Sequence, residues 1–166
     1  MKPDARGECW EKVQVVESLE SSFGDARIVE FFLRVLGDSN EWDMARVELC
    51  KFFELNPPAS PLVRERVAGT ISKALRSEPD VLVRQWLAIA AAGYIDFELV
   101  FNSISERLLD GKEDMDVRYN CLASLEELGP TKKVLAVYEM LRNRPSPMSD
   151  TVKRHLNEWS TAKHKR

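Results

Sequence analysis

Histidine is almost absent from this 166-residue chain: His155 and His164 are the only two, both near the C-terminus. A histidine-dependent catalytic triad and a metalloprotease HEXXH helix are therefore excluded. Glycine is sparse as well, with seven residues, and no glycine-rich loop of the phosphate-cradling kind occurs. The longest apolar run, Leu87 to Gly93, falls far short of the roughly 20 residues a membrane span needs. The first twelve residues lack an apolar stretch of signal-peptide length, so no membrane association is expected and the expected location is cytoplasmic. The three cysteines, Cys9, Cys50 and Cys121, are odd in number and widely scattered, which argues against a disulfide framework. None sits in a metal-ligand spacing, and no cofactor or metal is expected. Cys50 and Cys121 fall at apolar helical positions and are expected to be small buried hydrophobes.

What the chain does have is helical periodicity. Hydrophobic residues make up 44% and charged residues 31%, a composition that builds a packed core. Apolar residues recur with a period of 3.6 nearly from end to end, and strand-like alternation is missing. The pattern predicts a short helix over 8–22, then eight more over 25–37, 41–55, 61–77, 80–93, 96–110, 114–128, 131–143 and 149–160. Asp25, Asp80, Asp96, Asp114, Thr131 and Ser149 are placed to accept from first-turn amides. Pro61 suits a first helical position, and Asn56-Pro57-Pro58 stops the helix before it. Gly24, Gly37, Gly93, Gly111 and Gly129 stand near helix ends, where a left-handed residue is expected. Short linkers make consecutive helices antiparallel neighbours.

Three helices share a local pattern aligned on an arginine. Asp43 begins D-M-A-R-V-E-L-C-K-F-F, Asp80 begins D-V-L-V-R-Q-W-L-A-I-A-A, and Asp114 begins D-M-D-V-R-Y-N-C-L-A-S-L-E-E-L-G. Arg46, Arg84 and Arg118 are 38 and 34 residues apart, and Lys153 continues the series 35 residues on. A period in the mid-thirties that holds two helices denotes an array of helix pairs. The pattern resembles the second helix of a HEAT repeat, including the HEAT-like repeats of bilin lyases, on Asp114, Val117, Arg118, Cys121, Ser124, Leu125, Leu128 and Gly129. Asp80, Val83, Arg84, Leu87, Ala90 and Ala91 match it too, and Ala45, Arg46, Leu49 and Phe53 match more loosely.

The resemblance covers residues 25–160. It implies an all-α, right-handed solenoid of about four helix pairs in one domain over 1–166, preceded by the N-terminal helix and followed by a basic tail, 161–166. It implies that the repeated Asp/Arg residues form a ladder between adjacent repeats, so that Arg46, Arg84 and Arg118 are structural. The expected core comprises Val83, Leu87, Ala90, Ala91, Val117, Cys121, Leu125 and Leu128. With them go Phe31, Leu33, Phe52, Phe53, Val67, Ile71, Leu75, Phe97, Phe101, Ile104, Leu108, Leu135 and Leu141. Trp10, Trp42 and Trp159, at element ends, are expected to pack.

In HEAT-like arrays the second helices line a concave face. Counting one, two and five positions past each aligned arginine predicts an outward set: Val47, Glu48 and Lys51; Gln85, Trp86 and Ile89; Tyr119, Asn120 and Ala123; Arg154, His155 and Glu158. Trp86, Ile89 and Tyr119 would form an apolar centre with a polar rim, the composition of an interface anchor. The carboxylate groups Glu126-Glu127 and Glu113-Asp114-Asp116 fit a helix end and a helix start better than acid–base chemistry.

Residues 1–131 carry 15 Lys and Arg against 24 Asp and Glu, whereas residues 132–166 carry nine against three. The acidic body argues against nucleic acid, which wants a basic stripe, and for a basic protein partner. The expected function is a non-enzymatic scaffold that binds another protein, for example an immunity protein that neutralises a toxin domain, or an assembly adaptor. The same resemblance also admits an enzyme or enzyme subunit, DNA glycosylase-like or bilin lyase-like, by analogy of fold. A further possibility places the basic C-terminal segment on nucleic acid or an acidic protein.

Overall fold

The computed structural model describes residues 10–144 and 147–163, with side chains through Thr161. It is all-helical, with no strand among the described residues. The helices are α1 (Trp10–Leu19), α2 (Ala26–Gly37), α3 (Asp43–Leu55), α4 (Pro61–Ser77), α5 (Val81–Ala90), α6 (Glu98–Leu109), α7 (Met115–Glu126), α8 (Lys132–Arg142) and α9 (Met148–Lys163). The expected start of the first helix at residue 8, Cys9, and residues 164–166 of the basic tail, His164 among them, lie outside the described residues.

Helix starts follow the cap chemistry, with two corrections. Asp25 accepts from Arg27 N–H, Asp80 from Val83, Asp114 from Asp116 and Val117, and Thr131 from Val134, so each satisfies an orphan first-turn donor. Asp96 does not cap α6. Phe97 precedes that helix, and Asp96 instead accepts two hydrogen bonds of 2.8 and 2.7 Å from Arg64. Ser149 does not cap α9 either, because the helix already begins at Met148.

Helix ends depart further from expectation. Of the glycines foreseen as left-handed, only Gly129 has a positive φ, +60°. Helices α2, α4 and α6 leave instead through the extended residues Asp38, Glu78 and Asp110, an exit that any residue can make. The helix predicted over 80–93 tightens after Ala90 into a 3-10 turn, Ala91–Tyr94. The buried Tyr94 hydroxyl donates to the Phe53 carbonyl at 3.1 Å and ties this turn to the end of α3.

Alternate helices stack. One layer runs α1 on α3, α3 on α5 and α5 on α7; the other runs α2 on α4, α4 on α6 and α6 on α8. Between layers, α2 packs on α3, α4 on α5, α6 on α7 and α8 on α9, so four successive pairs follow the opening helix. One contiguous core lies between the layers, with an aromatic cluster of Phe23, Phe31, Phe32, Phe52 and Phe53 at its first-pair end. Leu128, Phe31, Phe97 and Leu135 are half-buried rather than interior, since each sits at an element end or the edge of its apolar stripe. Val47, predicted outward, is only 2% exposed. It stands at the edge of the α3 stripe and joins the buried core cluster. Trp42 is buried, but Trp10, edge-on to it at 5.2 Å between centroids, remains 62% exposed.

The arginine series is structural, although its carboxylate partners are not the expected aspartates. Arg46 of α3 pairs with Glu78, and Arg84 of α5 pairs with Glu113 at 2.9 Å. Lys12 of α1 pairs with Glu41 in the same manner. Glu41, Glu78 and Glu113 are 37 and 35 residues apart, one in each link before α3, α5 and α7. Each also accepts from a backbone N–H at the coming helix start: Trp42, Asp80 and Asp114 respectively. Asp80 and Asp114 are occupied as caps, and Asp43 lies within the first turn of α3, so the neighbouring glutamates form the rungs. Glu113 is additionally held by Arg107 at 2.9 Å. Arg46 and Arg118 each reach back ten residues, donating Nε–H to the Leu36 and Leu108 carbonyls at the ends of α2 and α6.

Candidate functional site

The two layers differ in charge. Helices α2, α4, α6 and α8 carry ten Lys and Arg against five Asp and Glu, whereas α1, α3, α5 and α7 carry five against seven. Four of those last five cations, Lys12, Arg46, Arg84 and Arg118, are engaged in contacts between neighbouring helices. Lys51 is left as the cation on the outer surface of that layer. Many cations of the other layer are neutralised locally, as in Arg66–Glu30 at 2.5 Å and Arg76–Glu106 at 2.8 Å. The α1–α3–α5–α7 layer is thus slightly acidic, and most of the remaining carboxylates of the N-terminal body, among them Asp38, Glu41, Glu78, Asp80, Asp110, Glu113, Asp114 and Glu127, lie in the links between helices.

That face brings together most of the predicted site. Lys51 forms an ion pair with Glu48 at 3.0 Å, and its Nζ lies 5.4 Å from the Trp86 ring centroid. Asn120 reaches the Gln85 carbonyl at 3.5 Å, and Gln85 reaches Asp114 at 3.4 Å. Ile89, Asn120 and Ala123 line one shallow depression of about 220 Å³ with Glu54, Ala92, Gly93, Ser124 and Glu127. Tyr119 is 41% exposed, and Trp86 is half-buried with part of its ring against the core. The result is a continuous surface across α3, α5 and α7, apolar at Trp86, Ile89 and Tyr119 and edged by carboxylates.

The last two predicted residues are placed differently. Arg154 is exposed on α9, which packs chiefly on α8 and not in the α3–α5–α7 stack. His155 is largely buried: its Nδ1 lies 3.0 Å from Glu126 Oε1, and its ring is flanked by Tyr138 and Trp159. A helical register carried on from Lys153 rotates His155 inward because α9 is held from a different side than α3, α5 and α7.

Electrostatics set the chemical possibilities. Burial raises the Glu20 carboxyl, and the charges of Glu48 and Glu17 raise it further, so like charges crowd this end of the face. Burial lifts the Cys50 thiol well above its ordinary value and pushes Cys121 up to about 12, which removes both as thiolate nucleophiles. Ser124 is committed as a donor to the Ala88 carbonyl at 2.7 Å. Glu113 and Asp114 are held in the rung and the cap, leaving Glu126 beside His155 and Glu127 on the depression. No group of three or more metal-ligating side chains occurs among the described residues.

Sequence reasoning missed Glu54, Ala92, Gly93 and Glu127 as parts of this surface. They lie at the ends of α3, α5 and α7, beyond the positions counted from each arginine. The spacing of Glu41, Glu78 and Glu113 was a legible signal for the rungs. Comparison with protein-family models, with curated proteins and with solved structures finds no match for this chain.

Proposed function

We propose that this chain is a non-enzymatic protein-binding module, a small HEAT-like array that receives another protein on its α3–α5–α7 face. One observation carries the proposal: the outward residues of three stacked helices form a continuous surface, while the repeated arginines and the glutamates before each helix are consumed by rungs. Exposed aromatic area ringed by polar groups is the usual composition of a binding hot spot. The acidic surplus favours a basic protein and repels a phosphate backbone. An immunity protein opposing a basic toxin domain is one form of such a module, and an assembly adaptor is another. Packing of helices in successive pairs, with rungs at a mid-thirties spacing, supports the HEAT-like reading.

The test uses photo-crosslinking amino acids placed at Tyr119 and, as a control, at Lys73 on the opposite layer. Crosslinking in the native cell should trap one protein from position 119 alone. Trp86→Ala and Tyr119→Ala, checked for native circular dichroism, should each weaken its binding by roughly 30-fold, the size of a hot-spot truncation. Equal trapping from both positions, or unchanged affinity in both variants, would overturn the proposal.

A further inference from the structure

We infer that the depression at the end of the α3–α5–α7 face is the seat for a single cationic side chain of the partner, arginine or lysine. This inference rests on the protein-binding reading above and specifies its chemistry.

Size comes first. At about 220 Å³ the depression is smaller than the roughly 300–1,000 Å³ of small-molecule and cofactor sites. A side chain fits it better than a free ligand. Its walls come from three elements: Glu54 from α3, Ile89 with Ala92 and Gly93 from α5 and its following turn, and Asn120, Ala123 and Glu127 from α7 and its end.

The lining suits an amphipathic cation. Ile89, Ala92 and Ala123 offer apolar surface for the methylene stem of an arginine or lysine. Glu54 on α3 and Glu127, just past the end of α7, supply two carboxylates for the head group. No Lys or Arg among the described residues pairs with either of them, and the nearest cation of the face, Lys51, is already committed to Glu48 and to the Trp86 ring. Charge complementarity therefore selects a positive occupant. Continuity with Ile89 and Asn120 places it beside Trp86 and Tyr119, so one segment of the partner can span both. Such a segment presents a basic residue next to an apolar one.

Three measurements separate this inference from the reading beneath it. In the first, the isotope-labelled protein is titrated with N-acetyl-arginine amide, N-acetyl-lysine amide and, as neutral control, N-acetyl-glutamine amide. The two cations should shift the amide signals of Gly93, Asn120 and Ala123 with roughly millimolar affinity. Glutamine amide should not, and Glu54→Gln/Glu127→Gln should abolish the effect. Shifts spread over every surface carboxylate, or unchanged by the double substitution, overturn the seat. In the second, Ala123→Arg places the chain's own guanidinium over the depression. Ala123 is exposed, so the fold is retained, and arginine amide should then bind at least tenfold more weakly. In the third, the partner trapped from Tyr119 is titrated against both sets of variants. Loss of binding at least tenfold in Glu54→Gln/Glu127→Gln as well as in Trp86→Ala supports the seat. Loss in Trp86→Ala alone leaves the binding module standing and removes the seat. Loss in neither removes both.

Discussion

The rung between Arg46 and Glu78 offers the sharpest test of the fold's energetics. Both side chains are 1% exposed, so the pair is removed from solvent on all sides. Arg46→Met keeps the volume of the stem but removes the cation, leaving Glu78 buried with one backbone donor, Asp80 N–H at 3.0 Å. It also orphans the Leu36 carbonyl, which accepts from Arg46 Nε at 3.2 Å. Breaking a buried pair from one side costs about 3–5 kcal/mol. For a chain of this size that lowers the melting temperature by roughly 6–20 °C, at ~2–4 °C per kcal/mol. Glu78→Gln should be similarly harmful, because it strands the guanidinium. The combined variant Arg46→Met/Glu78→Gln strands neither charge and should be more stable than the sum of the single losses by about 2 kcal/mol or more. Urea denaturation of the four proteins closes the cycle. Additivity within ~0.5 kcal/mol would show that the two side chains do not share a buried environment. Lys133→Met provides the internal contrast, since its pairing with Glu98 is more than half exposed on both sides and is worth at most ~1 kcal/mol.

Other outcomes follow from single features. Gly129→Ala should cost about 1 kcal/mol in chemical denaturation, because φ of +60° penalises a β-carbon; an unchanged midpoint would show that the left-handed turn is not required. In a Cys9→Ser background, Cys50 and Cys121 should resist thiol reagents in the folded protein and react at once in guanidinium. Fast native labelling of either would contradict its burial. Glu20→Gln should stabilise the protein at neutral pH: a folded carboxyl raised above its unfolded value disfavours the charged state, so the gain should shrink as pH falls through the folded value and be gone below the unfolded value of about 4. Asp25, Asp96 and Asp114 have the opposite sign. Their hydrogen bonds hold them below the ordinary range, to about 2 for Asp25, so their contribution is present above about pH 4 and lost on acidification through the folded values. A pH titration of the urea midpoint, repeated for Asp114→Ala, reads both signs.

The sequence showed which parts of this fold are locally determined. Helix starts at Asp25, Asp80, Asp114 and Thr131 were legible because a cap is a short-range event between a side chain and the next turn. The exits were not. An extended residue at Asp38 or Glu78 is chosen by where the following helix must pack, which local chemistry does not encode. Arg46 and Arg84 stood out as structural by spacing, but their partners Glu78 and Glu113 were obscured by Asp80 and Asp114 beside them, which match the repeat pattern yet are spent as caps. The face was anticipated at Lys51, Trp86, Ile89, Tyr119 and Asn120 because α3, α5 and α7 share one register. It failed at Val47 and His155, where burial depends on how closely other helices approach. Glu54 and Glu127 lie one turn further along and enter the surface only through the stacking of three helix ends.

The rungs also determine where the molecule gives way. Lys12–Glu41, Arg46–Glu78 and Arg84–Glu113 fasten each unit to the next, but 35 residues beyond Glu113 the chain offers Met148 and then Ser149. No carboxylate among the described residues meets Arg118, whose donors reach the Leu108 carbonyl and the Met115 sulfur. Neighbour-to-neighbour fastening makes such a chain open from its least secured end. The last pair, α8 and α9, is tied back through more exposed contacts, His155 with Glu126, Arg144 with the Leu109 carbonyl and Lys133 with Glu98, so amide exchange should run ahead there while α3 and α5 stay closed.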